Sequence, residues 1–264
     1  MKIGFIGNGN MGGAILGGII GHGLVMPGDV TVSDINEAGL LQARDQYGVH
    51  TNSDNKITAA QSDILFLAVK PNVVYAVIEE IREVVSENTL IISIVAGQSI
   101  EKLTAAFGKK MKLIRVMPNT PALVGEAMSG IALSESVSSQ EAEIALKIFN
   151  SLGKGEIISE SMMDAVTAVS GSSPAYVFML IEAMADAAVQ GGLPRAKAYT
   201  FAAQAVLGSA KMVLETGKHP GELKDMVCSP AGTTIDAVAV LEKEGFRSSV
   251  MQAMKACIDK SRAL

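Results

Sequence analysis

Six residues near the start of the chain, Gly7-Asn8-Gly9-Asn10-Met11-Gly12, have the types and spacing of a turn that holds a pyrophosphate. In the G-x-G-x-x-G pattern the first glycine permits a tight turn. The second lets the phosphates approach the backbone, and the third lets the following helix pack close to the sheet. The helix that opens there offers N–H groups and partial positive charge to the anion. A glycine-rich turn with no ligand is the competing reading. The setting argues against it, because apolar Ile3-Gly4-Phe5-Ile6 comes before the turn and a helix of small residues comes after it. No Gly-Lys-Ser/Thr follows, which excludes a triphosphate-binding loop. The expected cofactor is therefore NADPH or NADH. Asp34 lies about 20 residues past Gly12, where an acid binds the adenosine ribose hydroxyls. A carboxylate there favours NADH, since it repels a 2′-phosphate. Asn36 and Asn55 are candidates to bind that phosphate instead, and Asp34 also reads as a helix N-cap, so the preference stays open.

A second segment with chemical potential is Ser229-Pro230-Ala231-Gly232-Thr233-Thr234. It is small, polar and turn-rich, and it opens a helix. Such a turn binds a carboxylate through backbone N–H groups without an arginine. The plainer reading is an ordinary N-cap with threonine as the cap. The chain has no Ser-His-Asp order, no Cys-His pair and no paired carboxylates in a cleft loop. Reducing a ketone calls for a good proton donor such as His, Lys or Tyr. An imine nitrogen is basic enough to arrive protonated, so a hydroxyl and well-aimed N–H groups suffice. Lys70 stands before Pro71 at a strand end and reads as a cofactor-side or structural residue. Tyr176, at the start of a buried helix, reads as packing.

The elements that must position these residues fall into two halves. The chain has 264 residues, 48% hydrophobic and 19% charged, so it can bury a sizeable core. Its net charge of −5 and scattered Lys and Arg give no basic face for nucleic acid. Cys228, Cys257, His22, His50 and His219 show no metal-ligand spacing, and no disulfide is expected. Residues 3–28 carry no formal charge but hold ten glycines, which reads as a cytoplasmic protein rather than a signal or membrane segment.

Apolar runs predict strands over 2–6, 30–33, 64–69, 90–94, 112–117, 131–133 and 156–158. Helices are predicted over 11–21, 37–47, 73–85, 100–107 and, from a capping box of Ser138 and Glu141, up to 152. This alternation predicts an α/β Rossmann-type, doubly wound parallel sheet over residues 1–160. Beyond that only helices are predicted, at 174–190, 194–216, 221–227, 234–244 and 247–263, giving an all-α domain over 161–264. The helix over 174–190 carries charge only at Glu182 and Asp186, four apart and so on one face. A helix apolar almost all round must be buried almost all round. So small a helical half can hardly enclose it alone. The expectation is a homodimer with interlocked helical domains; the central helix of a monomeric bundle is the alternative.

Several motifs, in order, resemble the pyrroline-5-carboxylate reductase family over essentially the whole chain. They are the segment from Gly4 to Met11, Phe66-Leu67-Ala68-Val69-Lys70-Pro71, Arg115-Val116-Met117-Pro118-Asn119-Thr120-Pro121, Ser170-Gly171-Ser172-Ser173-Pro174-Ala175-Tyr176, His219-Pro220-Gly221 through Ser229 to Ile235, and Gly245-Phe246-Arg247. The resemblance implies NAD(P)H-dependent reduction of 1-pyrroline-5-carboxylate to L-proline. It implies that Ala68, Val69, Lys70, Pro71, Val95 and Ala96 line the cofactor cleft. It further implies that Ser229, Ala231, Gly232, Thr233 and Thr234 bind the substrate carboxylate beside Met226, with Thr234 hydrogen-bonded to the ring nitrogen. Dimers, and larger rings of dimers, are also implied. Ala231 stands where many relatives have glycine, which should leave the loop intact. A 3-hydroxyacid dehydrogenase is the rival enzyme class, but it needs a lysine on the first long helix of the second half, and 174–190 has none. A non-catalytic NAD(P)-binding regulatory protein is the other alternative, since fold does not dictate function.

Overall fold

The computed structural model describes residues 1–263. Eight strands form one sheet: β1 Ile3–Ile6, β2 Val30–Ser33, β3 His50–Asn52, β4 Ile64–Leu67, β5 Leu90–Ser93, β6 Lys112–Met117, β7 Ala127–Leu133 and β8 Gly153–Ile157. Their spatial order is β3-β2-β1-β4-β5-β6-β7-β8. The helices among them are α1 Asn10–Gly21, α2 Glu37–Tyr47, α3 Asn55–Ala60, α4 Val74–Ile81, α5 Ile100–Phe107 and α6 Ser139–Asn150. Strand order reverses between β1 and β4, so the carboxyl ends of these two strands flank the switch point at which such sheets bind ligands.

The central strands β1, β4 and β5 are apolar and buried because helices cover both faces. Alternate residues serve opposite sides. Ile3, Phe5, Phe66 and Ile92 join Leu16 of α1 and Phe149 of α6 in one core. Ile6, Leu65, Leu67 and Ile91 join Ile78 of α4 and Phe107 of α5 in the other. Phe5 and Phe66 are register partners and stack with ring centres 4.5 Å apart, and Phe149 meets Phe66 edge-on. The predicted capping box is present: Ser138 accepts from the Glu141 N–H and the Glu141 carboxylate accepts from the Ser138 N–H. Gly48 ends α2 in the left-handed region at φ 70°.

The parallel expectation holds from β3 to β6 and not beyond. β7 runs antiparallel to β6, and β8 runs parallel to β7. The reason lies in the link. A parallel return needs a crossover of about a dozen residues or more. Residues 118–126 hold only a short 3-10 turn, Thr120–Val124, with Pro121 as its second residue. The chain can only double back. β3 and α3 fall where no element was expected, because the polar edge strand His50–Asn52 lacks an apolar signature.

Two compact units emerge. One is Met1–Ser172 with the C-terminal stretch from Cys257; the other is Ser173–Ala256. In the first, α7 Met163–Val166 continues into a π-helical turn, Thr167–Gly171. Asn119 secures that turn: its Nδ2 donates to the Ser170 carbonyl at 3.0 Å and its Oδ1 accepts from the Met128 N–H at 2.9 Å.

The second unit contains α8 Ser173–Gln190, α9 Arg195–Thr216, α10 Pro220–Val227 and α11 Thr233–Lys243, and most of α12 Phe246–Arg262. Only Ala185 of α8, and Ala198 and Ala202 of α9, are buried among these helices' residues in that unit. Phe178, Phe201, Leu214 and Met251 are each more than 60% exposed. The apolar helix over 174–190 is thus left open to solvent by its own chain.

Candidate active site

The glycine turn divides its duties among its residues. Gly7 has φ +100°, and a Cβ there would lie 2.5 Å from the Ala68 carbonyl oxygen. Its N–H donates to the Ser33 carbonyl at 2.8 Å, which ties the turn to the end of β2. A Cβ on Gly12 would lie 2.7 Å from the Gly7 carbonyl oxygen. Gly9 differs: a Cβ there meets nothing within 4 Å, so the protein itself does not demand a glycine. Gly9 is also the N-cap of α1, with no side-chain cap and no acidic residue in the first turn. The N–H groups and positive end of α1 are left for an outside anion, as a dinucleotide pyrophosphate requires.

Asp34 does not act as an N-cap. Its Oδ2 accepts from the Asn8 N–H at 2.6 Å and its Oδ1 from the Asn36 N–H at 2.9 Å. Asn36 is the cap of α2, accepting from the Gly39 N–H. Asn55 is occupied at both ends of its amide: Oδ1 accepts from the Ser33 hydroxyl at 2.8 Å and Nδ2 donates to Glu80 at 2.9 Å. Residues 68–71 leave β4 beside the turn, where the Ala68 N–H donates to the Ile6 carbonyl. Val95 and Ala96 leave β5, next to β4. Among these, Val95 is buried, Ala96 and Val69 half-buried, and Lys70 and Pro71 exposed. The topology therefore brings the predicted cofactor residues to the carboxyl ends of five adjacent strands, β3 to β5 in spatial order. A groove of about 800 Å³ begins at Gly9, Asn10 and Asn36 and runs down the small-residue face of α1 past Gly13 and Gly17.

Three positioning contacts escaped the sequence reading. The Tyr75 hydroxyl of α4 donates to the buried Gln98, joining the helix after β4 to the segment after β5. Glu160 accepts at one carboxylate oxygen from the Ile100 N–H at 2.8 Å and from buried Arg115 at 3.0 Å, fixing the start of α5. Glu80 holds Asn55 from 25 positions away. No local pattern signals such pairings.

In the helical unit, α11 starts at Gly232, which has no side-chain cap. Threonine is therefore not the cap, and the N–H groups of the first turn are left unspent by side chains. A Cβ on Gly232 would lie 2.3 Å from the Ser229 hydroxyl, and its N–H closes a turn onto the Ser229 carbonyl at 3.0 Å. Ala231 has φ +55°, alone among the described non-glycine residues in the left-handed region. Holding an alanine there costs about 1 kcal/mol, so the loop carries strain at this position. Met226 is exposed on α10. Among the described residues no three His, Cys, Asp or Glu side chains cluster as a metal site, and no helix is long and apolar enough to cross a membrane.

A side-chain-free glycine turn at the switch point of a mainly parallel sheet, followed by a helical unit, defines a dinucleotide-dependent oxidoreductase of the Rossmann class. Residues 2–97 match the family model described as NADP oxidoreductase, coenzyme F420-dependent, and residues 160–264 match that for pyrroline-5-carboxylate reductase dimerisation. The chain is 52% identical to the pyrroline-5-carboxylate reductase of Escherichia coli K12 over all of this chain and 98% of the relative. It is 45% identical to that of Methanosarcina acetivorans over all of this chain and 97% of the relative. Among solved structures, the Plasmodium falciparum enzyme with NADP bound superposes with a TM-score of 0.91 at 35% identity, over all of this chain and 97% of that one. The chain belongs to the pyrroline-5-carboxylate reductase family. Mycobacterium tuberculosis 3-hydroxyisobutyrate dehydrogenase, at 17% identity and a TM-score of 0.52 over 72% of this chain and 66% of that one, shares only the fold.

Proposed function

We propose that this chain reduces 1-pyrroline-5-carboxylate to L-proline with NAD(P)H, the last step of proline biosynthesis. One observation carries the reading. In a chain that aligns end to end with reductases of that name, both helices expected to meet anions, α1 and α11, start at a glycine with no side-chain cap. The dinucleotide, when bound, supplies a hydride to the imine carbon. The protonated imine nitrogen becomes the amine, so the products are proline and the oxidised cofactor.

The chain's own residues bind and orient. Gly7, Asn8, Gly9, Asn10 and Met11 hold the pyrophosphate at the positive end of α1. Asp34 meets the adenosine ribose hydroxyls, and Asn36 and Asn55 stand where a 2′-phosphate would lie. Ala68, Val69, Lys70, Pro71, Val95 and Ala96 line the nicotinamide end. Ser229, Ala231, Gly232 and Thr233 present N–H and hydroxyl groups to the substrate carboxylate, with Met226 alongside. Thr234, the catalytic residue, holds the ring nitrogen by a hydrogen bond. No strong acid is needed, since the nitrogen arrives protonated. Residues 1–160 serve the dinucleotide; 161–264 serve substrate and dimerisation.

The assembly we infer is a homodimer with interlocked helical domains, able to build larger rings, in the cytoplasm. The exposed Phe178, Phe201, Leu214 and Met251 support it, because a helical unit with so little of its own core gains one from a second copy. Thr234→Val tests the chemistry: turnover should fall about 10- to 100-fold with dinucleotide affinity retained. An unaltered rate removes Thr234 from the mechanism.

A further inference from the structure

We infer that this chain binds NADH in preference to NADPH, and that Asp34 and Glu80 set the preference. The inference rests on the dinucleotide reading above and deepens it.

The carboxylate of Asp34 is fixed beside the glycine turn by the Asn8 N–H at 2.6 Å and the Asn36 N–H at 2.9 Å. Both donors are neutral backbone groups, so no ion pair cancels its charge. Each oxygen accepts one hydrogen bond here and keeps acceptor capacity for a ribose hydroxyl. A diol fits such an acceptor, whereas a 2′-phosphate meets like charge. Ile35, the next residue, is 99% exposed and gives the same turn an apolar surface for an adenine.

The two asparagines that could otherwise receive a 2′-phosphate are partly committed elsewhere. Asn55 donates one amide hydrogen to the Glu80 carboxylate at 2.9 Å, and its oxygen accepts from the Ser33 hydroxyl. Glu80 thereby brings a second negative charge towards the end of β2. The Asn36 oxygen caps α2. The remaining charges on the elements around this corner are mostly acidic or paired. Glu37 opens α2, and Asp54 caps α3. Arg44 pairs with Asp45, and Arg82 with Glu79 and Glu83. Lys56, exposed in the first turn of α3, is the cation that follows Asn55 in sequence. An NADP site of this fold sets an arginine nearby to accept the 2′-phosphate, whereas Arg44 and Arg82 here are paired with acids. The Plasmodium falciparum relative was solved with NADP bound, so the preference belongs to this chain's turn and not to the fold.

The test reads binding, with fragments that lack the nicotinamide. Calorimetric titration of the purified protein with ADP-ribose and with its 2′-phosphorylated form should give at least about tenfold tighter binding of the former. Asp34→Asn removes the charge and keeps one of the two acceptor oxygens, so one of the two backbone N–H groups loses its partner; it should narrow the ratio by about tenfold, and adding Glu80→Gln should narrow it further. A melting curve confirms that each variant is folded. Equal or tighter binding of the 2′-phosphorylated fragment to the unaltered chain overturns the preference while leaving the reductase reading intact. A ratio unchanged in folded Asp34→Asn overturns the role of Asp34. Binding of neither fragment overturns both this inference and the dinucleotide reading.

Discussion

A Cβ on Gly7 would stand 2.5 Å from the carbonyl oxygen of Ala68, whereas one on Gly9, two residues on, meets no atom within 4 Å. The two glycines therefore answer to different constraints. Gly7 is demanded by the contact between β1 and the end of β4, whereas no atom of the protein demands Gly9. Gly7→Ala should lower stability by about 2–4 kcal/mol, from the left-handed φ and the clash together. Gly9→Ala should leave the melting temperature nearly unchanged and weaken dinucleotide binding by about tenfold or more. Melting curves and dinucleotide titrations of the two variants check this. Equal loss of stability in both would show that Gly9 too is structural.

Strain at Ala231 makes a second contrast. At φ +55° a glycine relieves about 1 kcal/mol. It also loosens the unfolded chain by a comparable amount. Ala231→Gly should thus change stability by less than about 1 kcal/mol. A β-branched residue tolerates that conformation worst, so Ala231→Val should distort the turn before Gly232 and raise KM for the pyrroline substrate while KM for the cofactor holds. Steady-state kinetics with each substrate varied in turn separates the two.

Much of this fold is legible in the residues, and the illegible parts share a cause. The runs at β1, β4, β5 and β6 are apolar because both sheet faces are covered, and that shows in one dimension. The reversal of β7 was readable too, had the short link containing Pro118 and Pro121 been weighed against the length of a parallel crossover. The edge strand β3, His-Thr-Asn, carries no periodic signal. The π turn at Thr167–Gly171 depends on Asn119, 51 positions from Ser170. The site divides likewise. The glycine turn and the Ser229–Thr234 motif are local, and are visible. That Asp34 grips Asn8 and that Glu80 accepts from the Asn55 amide are contacts 26 and 25 positions apart, invisible until the sheet assembles.

Acid should expose the link between β6 and α6. Glu141 joins Lys112 at 2.7 Å and closes the capping box with Ser138. Burial pulls its pKa up, but the hydrogen bonds from Lys112 and Ser138 outweigh burial and hold the carboxyl below its ordinary range. A carboxyl with a depressed folded pKa stabilises fully above the unfolded value of about 4.3 and loses that contribution as the pH falls through the folded value. Glu141→Gln should be less stable at neutral pH and should show a shallower fall in stability below about pH 4. Urea unfolding across that range measures it; parallel curves for the two proteins would contradict the assignment.

The exposed apolar side chains of the helical unit predict the oligomer. Phe178 is 62% and Leu214 is 68% exposed in the single chain. Phe178→Asp with Leu214→Asp should shift the species seen by light scattering from dimer or larger to monomer. A monomeric unaltered protein would contradict the interlocked assembly.

Product analysis tests the central claim most directly. The chain is supplied with 1-pyrroline-5-carboxylate and a nicotinamide cofactor deuterated at the hydride-bearing carbon, and the product is read by NMR. The account predicts L-proline with one deuteron on the carbon next to nitrogen that lies away from the carboxylate. Proline without deuterium, or no proline with either NADH or NADPH, would contradict it.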